Sequence, residues 1–295
     1  MANYDLLQVD AFTTEPLRGN PCAVLPEAGG LDEAQMQAIA MEMNLSETAF
    51  VLPSDRADFR CRYFTPAEEV PLAGHPTIAT VHALTELGRI QPATQIVTLE
   101  LSVGVIEVER RTQDDSLMLV MTQLPPTFER RLNRGEVAAA LRLPESMVRT
   151  DLPVQVVSTG TPQLMVPVAS LTTLLTARPD EGQLLSLREK AGFFSVHAFT
   201  QDAEDPASTA HSRHWGFSGS GLFEDPVTGS ASGGMVAYLL QYEAIEPGSH
   251  QLEQGAGMQR PGRVYAEVTR DEAGNVAAPK IGGYAVTVMR GTLTI

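Results

Sequence analysis

One kind of element occurs twice in this chain. "AGHPTIATVHAL", residues 73–84, and "EDPVTGSASGGMVAYLL", residues 224–240, each place a short turn containing Pro and Thr between a β-rich stretch and an apolar helical run. A strand–turn–helix unit that returns after half the length of a chain predicts a duplicated α/β domain. Length agrees: 295 residues are too many for one small core and suit two domains of about 100 to 150 residues each.

The stretches between the two turns repeat the same plan. "YDLLQVDAFT" and "CAVL" flank the turn-rich "TEPLRGNP" and predict a β-hairpin. "LDEAQMQAIAMEMN" has Asp32 at its start and apolar residues at helical spacing, so a helix is expected to end near Asn44. "ETAFVLPS" and "ADFRCRYFTP" then alternate as strands. "GHPTIATVHALTELGRI" predicts a helix with Pro76 in its first turn and Gly88 at its end. The second half brings strands at "VQVVSTG" and "QLMVPVA", a helix near "DEGQLLSLREKAG", a strand at "FFSVHAFT", a polar loop "QDAEDPASTAHSRHWG", and the second copy of the turn and helix. "NVAAPKIGGYAVTVMRGTLTI" closes the chain as strand. A boundary is expected near Leu124 to Arg130, with an N-terminal domain of 1–126 completed by the C-terminal strand 285–295, and a C-terminal domain of 127–284.

Charge and composition exclude several functions. Thirty-six acidic against 21 basic residues give a formal charge of −15, with no Lys/Arg-rich run to attract phosphate backbones or anionic lipid, so neither nucleic acid nor membrane is an expected partner. No cationic leader or long apolar run is present, and a cytoplasmic location is expected. Cys22 and Cys61 lack CxxC spacing and His neighbours, so no metal site is expected; both read as small apolar residues inside strands. The alternative role for two isolated cysteines is an acid/base pair of the kind racemases use.

Three places can carry chemistry. At "DPVTGSAS" the helix start offers hydroxyls on Thr228, Ser230 and Ser232 beside Gly229, Gly233 and Gly234, and free N–H groups there favour an anion such as a carboxylate. Asp225 is either an N-cap or a site acid. His75 lies at the matching turn of the first half, in a place taken as equivalent to that of Asp225, and two such turns are expected to face a groove between the domains. Glu47, after Ser46 in "NLSETAF", sits where a loop carboxylate either is solvated or points into a cleft. Glu68, Glu69 and Glu224 have weaker claims and read as solvated or structural.

"DAFTTEPLRGNPCAVL", "NLSETAFV", "RYFTPAEEVPLAGHPTIAT" and "GLFEDPVTGSASGGMVAYLL" resemble, in order and spacing, the signature stretches of the PhzF-like isomerase family, over nearly the whole chain. The resemblance implies the diaminopimelate epimerase-like fold: two similar α/β domains, each a curved mixed β-sheet around a central helix, with the active site between them. It implies a homodimer that needs no cofactor or metal. It also implies that Glu47 is the acid/base moving a proton, and with it a double bond, in a small carboxylate-bearing substrate. His75 and Asp225 would orient that substrate and assist, while Ser46, Gly74, Gly229 and Ser230 hold its carboxylate. One departure stands out: many family members carry Arg and then a Phe-Ala-Pro-like stretch before "EDPVTGS", whereas this chain reads "SRHWGFSGSGLF". Arg213 keeps the place of the Arg, and His214, Trp215 and Phe217 alter the wall; Trp215 either stacks on a planar ligand or fills the interface between domains. Two other functions compatible with these residues are an epimerase or racemase of a small amino or hydroxy acid, and a small-acid binding protein without turnover.

Overall fold

A computed structural model describes residues 1–113, 116–218 and 221–295. The chain divides into two units, residues 1–121 with 282–295, and residues 122–281.

In the first unit β1 (Asn3–Ala11) and β2 (Asn20–Leu25) form the expected antiparallel hairpin, with Val9 opposite Cys22. Helix α1 (Glu33–Met43) follows, between a capping box at Asp32 and a left-handed Asn44, the two ends its sequence marks. That helix is the crossover that lets β3 (Glu47–Leu52) lie parallel to β2. β4 (Phe59–Phe64) returns antiparallel to β3 and turns into the two-residue β5 (Glu69–Val70). Helix α2 (Gly74–Glu86) then carries the chain to β6 (Ile96–Leu101), parallel to β4, and β7 (Gly104–Gln113) and β8 (Ser116–Thr122) continue as antiparallel neighbours. The free edge of β1 is taken by the C-terminal strand, Asn3 opposite Thr294.

The second unit has the same wiring. β9 (Thr127–Arg131), helix α3 (Arg134–Ala140) and β10 (Gln155–Ser158) open it, and β9 pairs with β10 as the C-terminal strand pairs with β1. β10 and β11 (Pro162–Pro167) form a hairpin, α4 (Leu171–Thr176) and α5 (Glu181–Ala191) cross over, and β12 (Ser195–Thr200) lies parallel to β11. β13 (Ser208–Ser218) returns antiparallel and turns into β14 (Gly221–Asp225). Helix α6 (Gly229–Gln241) then leads to β15 (Gly248–Gln254), parallel to β13, and β16 (Gly262–Val268) follows antiparallel. β17 (Lys280–Gly283) and β18 (Ala285–Thr294) end the chain, broken at Tyr284 where one continuous strand-like run was expected. The mixed α/β architecture and its duplication are therefore as the repeated turn implies.

Each unit packs its sheet on two sides. In the first, Met36 and Ile39 of α1 meet Leu25, Phe50 and Phe64. In the second, Val137 of α3 and Leu184 of α5 meet Val156, Val166, Val196 and Trp215. The other helix of each unit is buried all round rather than along one stripe: nine of the 13 residues of α2 and eleven of the 13 of α6 are buried, which makes these the central helices.

Two expectations need correction here. The segment "QDAEDPASTAHSRHWG" is not a polar loop, since its second half is the long strand β13. Its polar side chains are buried because each meets a polar partner: His211 binds Glu253, Ser212 donates to the Glu253 carbonyl, Arg213 binds Glu224, and His214 meets His197. Trp215 is neither a platform for a ligand nor a filler between domains; it is 3% exposed in the core of the second unit, with the Arg213 guanidinium 4.7 Å from its ring centre. Gly219 and Ser220 of the departing stretch lie outside the described residues. No helix among the described residues is long and apolar enough to cross a membrane.

Candidate active site

In the first unit the structure brings Glu47 and His75 together. Glu47 is the first residue of β3 rather than a loop residue, with half-buried Ser46 just before it. Helix α2 begins at Gly74, so His75 is its second residue, and Pro76 needs no N–H in the first turn. Strand start and helix start then put His75 Nε2 3.2 Å from Glu47 Oε2, with the imidazole 6% and the carboxyl 18% exposed. The approach is a contact without hydrogen-bond alignment. Burial lowers the His75 pKa to about 3, so the ring is neutral near pH 7 and cannot serve as a cation. Of the two, only Glu47 can carry a charge near pH 7, and a neutral imidazole can donate or accept a hydrogen bond beside it.

Cys22 is the cross-strand neighbour of Glu47. Its thiol donates to the Ala23 carbonyl, and burial together with the Glu47 charge pushes its pKa well up, so it is an inert thiol. Cys61 is also buried and pushed up to about 12 by burial. Both cysteines are core residues, as their strand settings suggest.

In the second unit the turn before α6 gathers Asp225, Gly229 and Ser230. Asp225 ends β14 and is not the N-cap; that residue is Thr228, in extended conformation. Thr228 makes no side-chain cap bond to the helix and gives its hydroxyl to the Asp225 carboxylate instead. Ala73, at the same place before α2, has no capping side chain either. Both central helices therefore begin with N–H groups that no side chain caps, next to the acids of interest.

The two turns align differently from the expectation that pairs His75 with Asp225. Glu69 faces Phe64 as Glu224 faces Trp215, and each helix starts five residues after its glutamate, at Gly74 and Gly229. By that register His75 corresponds to Ser230, and Asp225 corresponds to Val70. Glu47, opposite Cys22, corresponds likewise to Ser195, opposite Gln163. The duplicated scaffold thus carries an acid and an imidazole in the first unit where the second has two hydroxyls.

Four residues outside the sequence motifs shape the second turn. Gln254, at the end of β15, donates to the Asp225 carbonyl (2.8 Å) and the Thr228 hydroxyl (3.1 Å) and accepts from the Thr228 N–H (3.1 Å). Gly255 follows it at φ +92°, where a Cβ would lie 2.7 Å from the Pro226 carbonyl, so only glycine closes this corner. Gln163 donates to the Ser230 hydroxyl (3.1 Å) and Gln123 to the Gly229 carbonyl (3.1 Å). Glutamines in or just after strands carry no sequence signal for such a task; the Gln-Gly pair at 254–255 is the one hint. Glu224, read as structural, is held by Arg213 at 2.8 and 2.7 Å. Among the described residues no group of three or more His, Cys, Asp or Glu could hold a metal ion.

The chain as a whole has known relatives. Residues 9–291 match the phenazine biosynthesis-like protein family. The chain belongs to that family, PhzF. It is 34% identical to an uncharacterized isomerase, YfhB, of Bacillus subtilis, over 97% of both chains. It is also 34% identical to the trans-2,3-dihydro-3-hydroxyanthranilate isomerase of Pseudomonas aeruginosa, over 96% of both. The crystal structure of a PhzF-family protein from Bacillus anthracis covers 100% of both chains with a TM-score of 0.92 at 33% identity.

Proposed function

We propose that this PhzF-family protein is an isomerase that moves a proton between two carbons of a small unsaturated carboxylate, with Glu47 as the acid/base. The observation that carries the reading is the Glu47–His75 contact of 3.2 Å, at the start of a helix that no side chain caps. A carbon acid loses its proton only when the developing charge is stabilised, and preorganised N–H groups at a helix start provide such stabilisation. Glu47 takes the proton, the electron pair shifts the double bond along the chain of carbons, and the same carboxyl returns the proton at the far carbon. Nothing is oxidised or reduced, and one two-way group suffices. Neutral His75 keeps its proton and orients the substrate. Ser46, Gly74, Gly229 and Ser230 are proposed to hold the substrate carboxylate, and Asp225 to orient the substrate and assist the transfer. The family resemblance extends the proposal to a homodimer, which light scattering tests.

The compound for which the P. aeruginosa relative is named, trans-2,3-dihydro-3-hydroxyanthranilate, is the first substrate to try, in deuterated water. Turnover with solvent deuterium at carbon, and a loss of about 10² to 10⁴ in kcat for Glu47→Gln, is the expected result. Full activity in Glu47→Gln overturns the mechanism; product without deuterium would mean that the carboxyl returns the abstracted proton before it exchanges with solvent.

A further inference from the structure

On the face of the second sheet that α6 covers, three residues stand in a row on three adjacent strands. His197 of β12 is the register partner of His214 of β13, and His214 is the register partner of Asp225 of β14. Directly opposed residues of antiparallel strands put their side chains on the same face. The first link is made: the Nδ1 atoms of His197 and His214 are 3.2 Å apart, and both rings are buried. His214 lies in the stretch "SRHWGFSGSGLF", in which this sequence departs from the pattern of the family it resembles.

The protons of the pair can be placed by counting donors. An Nδ1–Nδ1 hydrogen bond between neutral rings needs one N–H and one lone pair. If His214 supplied the N–H, its Nε2, the ring nitrogen that His197 does not engage, would be a bare lone pair, while the register neighbour of His214 on its other side is the carboxylate-bearing Asp225. His197 would then keep an Nε2–H in a place where that atom, buried, has no hydrogen-bond partner. Both faults vanish if His197 supplies the N–H: His197 Nε2 becomes a lone pair, and His214 is left with an Nε2–H on the side of Asp225. An unpaired buried donor and an acceptor facing an acceptor each cost more than an unpaired lone pair.

We infer that His214 is a positioning residue for Asp225, its Nε2–H holding that carboxylate in place while His197 fixes the tautomer. The role of Asp225 toward substrate rests on the function proposed above; the His197–His214–Asp225 row does not need it. Arranged so, Asp225 is held from two sides, by the Thr228 hydroxyl and by the His214 ring.

Two-bond ¹H–¹⁵N correlation spectra of the full chain labelled with ¹⁵N-histidine read the tautomers directly. Single His197→Gln and His214→Gln replacements assign the two rings among the six histidines. At pH 7 His214 is expected as the neutral Nε2–H form and His197 as the neutral Nδ1–H form, and Asp225→Asn is expected to move the His214 Nε2–H proton upfield. An Nδ1–H tautomer for His214, or a His214 signal unmoved by Asp225→Asn, overturns the inference. Should Asp225→Asn fail to fold, the wild-type tautomers decide alone. A failed substrate test with the expected tautomers would count against the proposed reaction and leave this positioning role standing.

Discussion

Arg213 grips Glu224 with two nitrogens, at 2.8 and 2.7 Å, in the place where Arg62 grips Glu69 at 2.7 and 2.6 Å in the first unit. The two forks have the same form but differ in burial. Arg213 and Glu224 are 9% and 19% exposed, and the guanidinium also donates to the carbonyls of Leu174 and Ala177. Arg62 and Glu69 are 17% and 31% exposed, and Glu33 stands by as a second acceptor. Breaking a buried pair strands a charge at about 3–5 kcal/mol, whereas a pair near solvent contributes about 1 kcal/mol or less. Glu224→Ala should therefore lower unfolding free energy by about 3 kcal/mol and Glu69→Ala by about 1 kcal/mol, read from urea midpoints. Equal losses would show that burial does not separate them.

Acid should unfold this protein through its histidines. Burial holds His75 and His214 at about 3, and His197 well below its ordinary value, against about 6.5 in an unfolded chain. Between those values the unfolded chain binds more protons, so stability is intact above pH 6.5 and falls as pH drops toward 3. Glu253 adds a later loss. Burial would raise it, but bonds from His211, Asp205, Glu204 and Ser208 bring it down to about 2, so its contribution is present above pH 4.5 and vanishes as pH falls through 2. Urea unfolding at pH 7 and pH 5 should show a smaller drop for His214→Phe than for wild type. Identical drops would mean that the ring is not a neutral buried group.

Much of this was legible in the sequence, for identifiable reasons. Helix α1 announced both ends, with Asp32 and Asn44 acting through the backbone of their own neighbours. The central helices showed through unbroken apolar runs, and the pairing of "AGHPT" with "EDPVTGS" showed the duplication. What failed was register and polar burial. Aligning the two turns by His75 and Asp225 puts the repeats out of step, because the feature they share is the start of the helix, at Gly74 and Gly229. β13 read as a loop because His211, Ser212, Arg213 and His214 are polar, and their partners Glu253, Glu224 and His197 come from strands at other points in the chain. Composition along a segment cannot show that each of its polar groups has a partner elsewhere.

Gln254 should matter to activity without touching the reacting atoms. Gln254→Ala leaves the Thr228 N–H and the Asp225 carbonyl without the bonds that close the turn, at a cost of about 1–3 kcal/mol. Gln254→Glu should be worse, because a carboxylate cannot donate to the Asp225 carbonyl and sets a like charge beside its side chain. The measurement is turnover together with melting temperature for both variants. A Glu variant as active and as stable as wild type would remove Gln254 from the support of Asp225.

Gly233 offers a case in which two effects of opposite sign can be separated. Within helix α6, Ala in place of Gly should stabilise by about 0.5–1 kcal/mol, since it restricts the unfolded chain and favours the helix. A Cβ at Gly233 would, however, stand 1.9 Å from Gln123 Oε1 and 2.5 Å from its Cδ, while the same amide donates to the Gly229 carbonyl at the helix start. Gln123 would have to leave that bond to clear the space. Overpacking of this kind costs about 1–3 kcal/mol, more than the propensity gain, so Gly233→Ala should destabilise. In a Gln123→Ala background the obstacle is gone and only the gain remains, so the same substitution should then stabilise. A double-mutant cycle of urea midpoints tests this change of sign, and a Gly233→Ala effect that is the same in both backgrounds would show that the amide does not fill the space against α6.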